Sequence, residues 1–205
     1  MVADPALARL ERAVRAIAEQ SRGRPLTGLT HDDADGVGGT WFTDDAVGFD
    51  PFPLLRALHE HGAVVAVMGQ VAGIMHGSEE LTGDLDLLWD GGRAGRPAMA
   101  AAFGSVDAAL VDDDGRAVSC SPEAFALSKV VFRSATASGD CCTPALAWGD
   151  LPVLDMLARA QVARGDGGLL VRYLAAEDLI AMRRAVSRPK DLRRADELER
   201  LHRVL

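Results

Sequence analysis

Three cysteines, two lysines and one tyrosine are all that 205 residues contain of those types, and aromatic residues make up only 5%. Two of the cysteines, Cys141 and Cys142, are adjacent, which makes a poor disulfide framework and a poor zinc site. No uninterrupted apolar run approaches the ~20 residues that a membrane-spanning helix needs. The opening Met1-Val2-Ala3-Asp4-Pro5 has no basic stretch leading into an apolar one, so no secretory signal is expected. Internal repeats and low-complexity tracts are also lacking. These absences point to a reduced, cytoplasmic protein with no membrane partner. What is present, 48% hydrophobic and 25% charged residues, is close to the globular average. The length suffices to bury a core without covalent or metal staples. A net charge of −8 disfavours non-specific binding to nucleic acid or anionic lipid as the main activity.

Leu7, Leu10, Val14 and Ile17 recur at helical spacing after Asp4-Pro5, a suitable helix start. Glycines then predict an irregular stretch to about residue 48. Within it, residues 31–36 carry several carboxylates but lack the closing glutamate of a calcium loop, and are read as a solvated acidic loop. Further helices are expected over 50–61, 71–75, 98–103 and 152–163, with a tail over 176–205 broken near Arg188-Pro189. Strands are expected over 63–68, 81–89, 106–111 and 129–133, with extended segments over 139–146 and 169–174. Alternating strands and helices give the α/β (α+β) class. The chain divides into a helix and glycine-rich loop (1–48), a core (49–150) and a C-terminal helical segment (151–205).

Residues 69–86 carry the chemistry. Strand side chains alternate faces, so Asp84 and Asp86 are expected on one side of the sheet, with Leu85 and Leu87 towards the core. Two carboxylates so placed repel each other unless a cation lies between them, and oxygen-only ligands suit magnesium. Gly69 allows a backbone to approach a phosphate closely, and the helix behind it presents free amides.

Several segments resemble the nucleotidyltransferase superfamily of the DNA polymerase β type. They are Phe49-Asp50-Pro51, Leu58-His59-Glu60-His61-Gly62, Val65-Ala66-Val67-Met68-Gly69, His76-Gly77-Ser78 and Thr82-Gly83-Asp84-Leu85-Asp86. The nearest likeness is to its small bacterial branch related to AbiEii and MenT toxins, whose helical tail Arg188-Pro189-Lys190-Asp191-Leu192 also resembles. The resemblance implies a mixed β-sheet flanked by helices. It implies Mg²⁺ (or Mn²⁺)-dependent transfer of a nucleotidyl group from a nucleoside triphosphate to an acceptor hydroxyl, on tRNA, a protein or a small molecule. The paired metal-binding aspartates fall on Asp84 and Asp86. The third carboxylate, ligand or base, is Asp140, with Asp107 as the competitor. Gly69, Gln70, Thr82 and Lys190 are the nucleotide-binding candidates.

Gln70 departs from the family's Gly-Gly or Gly-Ser turn, and so keeps alive a second reading, an inactive nucleotide- or partner-binding protein. A metal-dependent phosphohydrolase is a more distant alternative. His76, ending a short helix, reads as structural. Arg183, Arg184, Arg188, Lys190, Arg193 and Arg194 read as a solvated basic face or as a contact for triphosphate or RNA. Cys141 and Cys142 read as buried small residues.

Overall fold

The structure is a computed structural model describing residues 4–203. The last residues of the expected tail, 204 and 205, lie outside it, as do the side chains of Asp32 and Val37. Helix α1 (Pro5–Gln20) starts where expected, with the Asp4 carboxylate accepting from the Ala6 amide. It buries Leu7, Leu10 and Ile17. The glycine-rich stretch holds three single 3₁₀ turns and a short α2 (Ala34–Val37). Then follow α3 (Phe52–Glu60), β1 (Val65–Met68), α4 (Gly69–Met75), β2 (Asp86–Trp89) and α5 (Arg96–Ser105). The middle third supplies β3 (Ala109–Val111), β4 (Ala117–Val118), β5 (Lys129–Arg133) and β6 (Ser138–Cys142). The chain continues through α6 (Val153–Ala158), β7 (Gln161–Arg164), β8 (Leu170–Tyr173), α7 (Ala176–Val186) and α8 (Pro189–Arg203).

All strands join one mixed sheet, in the order β4-β3-β5-β6-β2-β1-β8-β7. β1 and β2 are antiparallel, β2 runs parallel to β6, and β1 runs parallel to β8. Alternation along the central strands divides the core in two. Val65, Val67, Leu85, Leu87, Trp89 and Cys141 join the larger cluster, with α1, α3, α4 and α5. Ala66, Met68, Leu88 and Cys142 face the other way, onto Val153, Met156, Leu174 and Met182. Each fully buried aliphatic side chain contributes roughly 1.5–3 kcal/mol, so both faces are driven by burial. The second face is only partly roofed, and a cleft opens there.

Four expectations need correction. The strand expected over 81–89 begins only at Asp86, because residues 81–85 bend to meet the glycine-rich segment. The strand expected from 106 begins at Ala109. The helix expected over 152–163 stops at Ala158, and residues 161–164 form β7. Gln161 pairs with Tyr173 and Arg164 with Leu170 across a glycine turn; this pairing buries Ala163 and overrides a weak helical preference. The segment 151–205 is therefore not only helical, since it supplies two strands to the sheet.

His76 is structural, as expected. Its Nε2 lies 2.8 Å from the Leu174 carbonyl oxygen and its ring packs on Tyr173 and His202. Burial holds its pKa below the usual imidazole value. Cys141 and Cys142 are buried in β6, and burial pushes both thiols well up, which leaves them inert.

Candidate active site

A cleft of about 550 Å³ lies over the partly roofed face of the sheet. Asp84, Asp86 and Asp140 all line it. Asp86 opens β2 opposite Met68 of β1, and Asp140 sits in β6, on the other side of β2. Asp107 is excluded as the third carboxylate. It occupies a left-handed turn (φ 51°) ahead of β3, which pairs with β4 and β5 and never meets β2.

The close approach of β2 to its neighbours depends on two glycines. Gly69 has φ +63°, and a Cβ there would lie 2.0 Å from Asp86 Oδ2. Gly139 has φ +155°, and its Cβ would strike the Leu85 carbonyl oxygen at 2.1 Å. The second contact lets the Leu85 amide donate to the Ser138 carbonyl at 2.9 Å, which brings Asp140 beside Asp86.

Each acid has a different environment. The Asp84 carboxylate is clamped: Oδ1 accepts from Thr40 Oγ1 at 2.8 Å and from Thr82 Oγ1, and the two hydroxyls lie 2.9 Å apart. Asp84 Oδ2 faces His31 Nδ1 at 3.7 Å. Asp86 has its pKa raised well above the usual carboxylate range, by burial first and then by the charges of Asp84 and Asp140. Asp140 is raised too, by burial, although Lys129 and His31 pull the other way. Its Oδ2 lies 3.7 Å from Lys129 Nζ, and its Oδ1 is buried with no hydrogen-bond partner.

An orphaned carboxylate oxygen beside two mutually repelling acids is the donor chemistry that a hard divalent cation satisfies, so these residues fit a magnesium ion. Among the described residues no three acid, histidine or cysteine side chains already stand converged at metal-binding spacing.

The nucleotide-binding candidates take unexpected partners. Gly69 supports the acid pair. Thr82 is buried and engaged with Asp84 and Thr40, so it braces the site. Gln70 is also buried. Its Nε2 donates to Ser78 Oγ at 3.0 Å and to the Glu80 carbonyl at 2.8 Å, while its Oε1 accepts from Arg183 Nη2 at 2.8 Å. Both ends of the Gln70 amide are thus engaged, although the residue also lines the cleft, and the side chain ties α4 to the C-terminal helices. Arg183 also donates to the Gly69 and Arg194 carbonyls, and burial lowers its pKa to about 10.

Lys190 lines the cleft, paired with Asp35, which Arg188 Nη1 also grips at 3.0 Å. The loop around Asp35 is solvated as expected, with Asp35 itself exposed, but it is also ion-paired and lines the cleft. The rest of the basic cluster is likewise matched. Arg194 and Arg193 hold Glu80, and Arg184 meets Glu199 at 2.8 Å. The cluster is neither a simple solvated face nor an open cationic patch.

Among the residues of this cleft that escaped the sequence reading as site members are His31, Thr40, Lys129 and Trp148. One signal was available for Lys129. The chain has two lysines and both line this cleft, so the scarcity that singles out Lys190 applies equally to its fellow. Among the described residues no helix is long and apolar enough to cross a membrane. Set against models of known protein families and against curated protein sequences, the chain matches none.

Proposed function

We propose that the cleft binds a nucleoside triphosphate and transfers its nucleotidyl group to an acceptor hydroxyl. The observation that carries this reading is the gathering of Asp84, Asp86 and Asp140 in one open cleft that both lysines also line. Asp84, Asp86 and Asp140 would hold Mg²⁺ or Mn²⁺, which when bound neutralises triphosphate charge and activates the attacking oxygen. The Thr40 and Thr82 hydroxyls fix the Asp84 carboxylate in place ahead of any ligand, so little reorganisation is needed. Asp140, raised by burial and with one free oxygen, is suited to take the acceptor proton. The acceptor oxygen bonds to the α-phosphorus as the bond to pyrophosphate breaks, and the proton moves to Asp140. Lys129 beside Asp140 favours return of that proton to water.

Lys190 and Arg188 are the cations placed to meet the phosphates, and they do so by exchanging Asp35 for the ligand. Asp35→Ala is therefore expected to tighten binding of magnesium pyrophosphate about two- to five-fold, the worth of a partly exposed ion pair. Isothermal titration checks this. Unchanged or weaker binding would show that Asp35 does not compete for these cations.

The test of the main reading is incubation with each labelled nucleoside triphosphate, Mg²⁺ or Mn²⁺, and bulk tRNA, following pyrophosphate release and label transfer. Protein and small-molecule acceptors are run in parallel. Release is expected, and Asp84→Ala/Asp86→Ala should lower it by more than about 100-fold. Release that survives the double substitution defeats the proposal. Nucleotide binding without any release favours the second reading, an inactive binding protein, to which the inward-turned Gln70 and the Asp35-neutralised Lys190 lend support.

A further inference from the structure

The cleft lining is chemically mixed. Beside the acids and the cations Lys129, Arg183, Arg188, Lys190 and Arg194 it has an apolar wall of Met68, Leu146, Trp148, Leu151, Met182 and Val186, all but the last packed in one cluster. Trp148 stands out in that wall. Its ring is half-buried, in a protein whose aromatic side chains are few and mostly deep in the core. Its orientation is set, because Nε1 donates to the Thr143 carbonyl at 2.7 Å. The loop bearing it is itself held by amides, from Leu146 to the Thr143 carbonyl at 3.1 Å and from Leu151 to the Trp148 carbonyl at 3.4 Å. That loop leaves the end of β6, so Asp140, Cys142 and Trp148 follow one another along the same side of the cleft.

We propose that Trp148 is the platform for the base of the bound nucleotide, read by stacking and not by its hydrogen-bonding edge. This rests on the nucleotide-binding reading above and adds its specificity. A triphosphate drawn to the cation-and-acid part of the cleft leaves its flat, weakly hydrated end against the apolar wall. A fixed indole is what such a ring stacks on, at roughly 1–3 kcal/mol per base. The six wall side chains offer no free N–H donor and no oxygen acceptor, since the indole nitrogen is already engaged and the two methionine sulfurs accept only weakly. Such a wall cannot apply the strong rejection that comes from leaving a buried polar group unpaired, so all four bases are accepted, with larger rings held somewhat better.

Equilibrium titration tests this, with ATP, GTP, CTP, UTP and ribose 5-triphosphate in calcium buffer, on wild type, Trp148→Ala and Trp148→Phe. Trp148→Ala should weaken all four nucleotides by about 5- to 100-fold, the equivalent of the stacking energy. Trp148→Phe should stay within about three-fold of wild type, and ribose 5-triphosphate should bind all three proteins alike. The proposal falls if Trp148→Ala binds nucleotides like wild type, if it loses ribose 5-triphosphate to the same degree, or if only one base is affected. Wild type that binds no nucleotide overturns the platform and the nucleotide-binding reading together. Wild type that binds nucleotides while the Trp148 variants match it overturns the platform alone.

Discussion

Gly69→Ala should unfold at a lower urea concentration than wild type and should release pyrophosphate about 100-fold more slowly. Two separate effects act at this one atom. An alanine at φ +63° sits in the left-handed region, which costs roughly 1–2 kcal/mol for an L-residue. The new methyl group would also lie 2.0 Å from Asp86 Oδ2 and 2.9 Å from Asp86 Cγ, so the carboxylate must leave its place or the β1–α4 turn must open. Packing conflicts of this kind cost typically 1–3 kcal/mol, giving a total near 2–5 kcal/mol. Relocating a ligand-bearing side chain by an ångström commonly lowers turnover by about 100-fold. Denaturation read beside activity separates the two effects. A variant as stable as wild type that releases pyrophosphate as fast would mean that the turn does not support Asp86. A variant that is stable but slowed would show that the displacement of Asp86 alone impairs transfer.

The acid pair was legible in the sequence because it depends on one short run of chain. Period-two alternation places Leu85 and Leu87 in the core, and the same rule sends Asp84 and Asp86 to the cleft, even though the regular strand begins only at Asp86. The strands at 65–68 and 129–133 were legible from short runs too, the first as a continuous apolar stretch buried on both faces. The choice between Asp140 and Asp107 was not, because it depends on which strand lies beside β2. That adjacency is set by contacts from across the chain, above all the approach of Gly139 to Leu85.

Side-chain roles were least legible. Thr82, Gln70 and Lys190 were singled out as phosphate contacts, but their partners come from far along the chain: Thr40, Arg183 and Asp35. No periodicity marks the stretch carrying Thr40 and Asp35. It bends through glycines and 3₁₀ turns and is shaped by what it touches. Ala46, in that same stretch, packs so closely on Gly83 that a Cβ there would lie 2.5 Å from the Ala46 amide nitrogen. The irregular stretch, through Thr40 and Ala46, is thus part of the wall that holds Asp84 in position.

Asp86→Asn should make the metal-free protein more stable while it loses activity. The Asp86 carboxyl is raised well above its usual range by burial and by the neighbouring charges of Asp84 and Asp140. An acid whose folded pKa exceeds the unfolded value of about 3.9 binds its proton more tightly in the native state. Its contribution to stability is therefore favourable at low pH. It drains away as pH rises from about 4 through the raised folded value, and the whole penalty is present above that. Asparagine carries no charge at any of these pH values and has nearly the same shape. With chelator present, Asp86→Asn should thus exceed wild type by about 0.5–2 kcal/mol at neutral pH, the usual gain from relieving an active-site conflict. The gap should shrink as the pH is lowered towards 4.

Magnesium should reverse the order. Wild type gains stability in proportion to the logarithm of cation concentration above its dissociation constant, whereas Asp86→Asn gains little. Urea midpoints at several pH values, with chelator and with magnesium, measure all of this without any assay of turnover. If Asp86→Asn is less stable than wild type in chelator, the carboxylate is a structural anchor and the like-charge cluster is not under strain. If magnesium stabilises both proteins equally, Asp86 is no metal ligand. Should both expectations hold, the three acids are kept together against their own repulsion, and at neutral pH a bound cation relieves it.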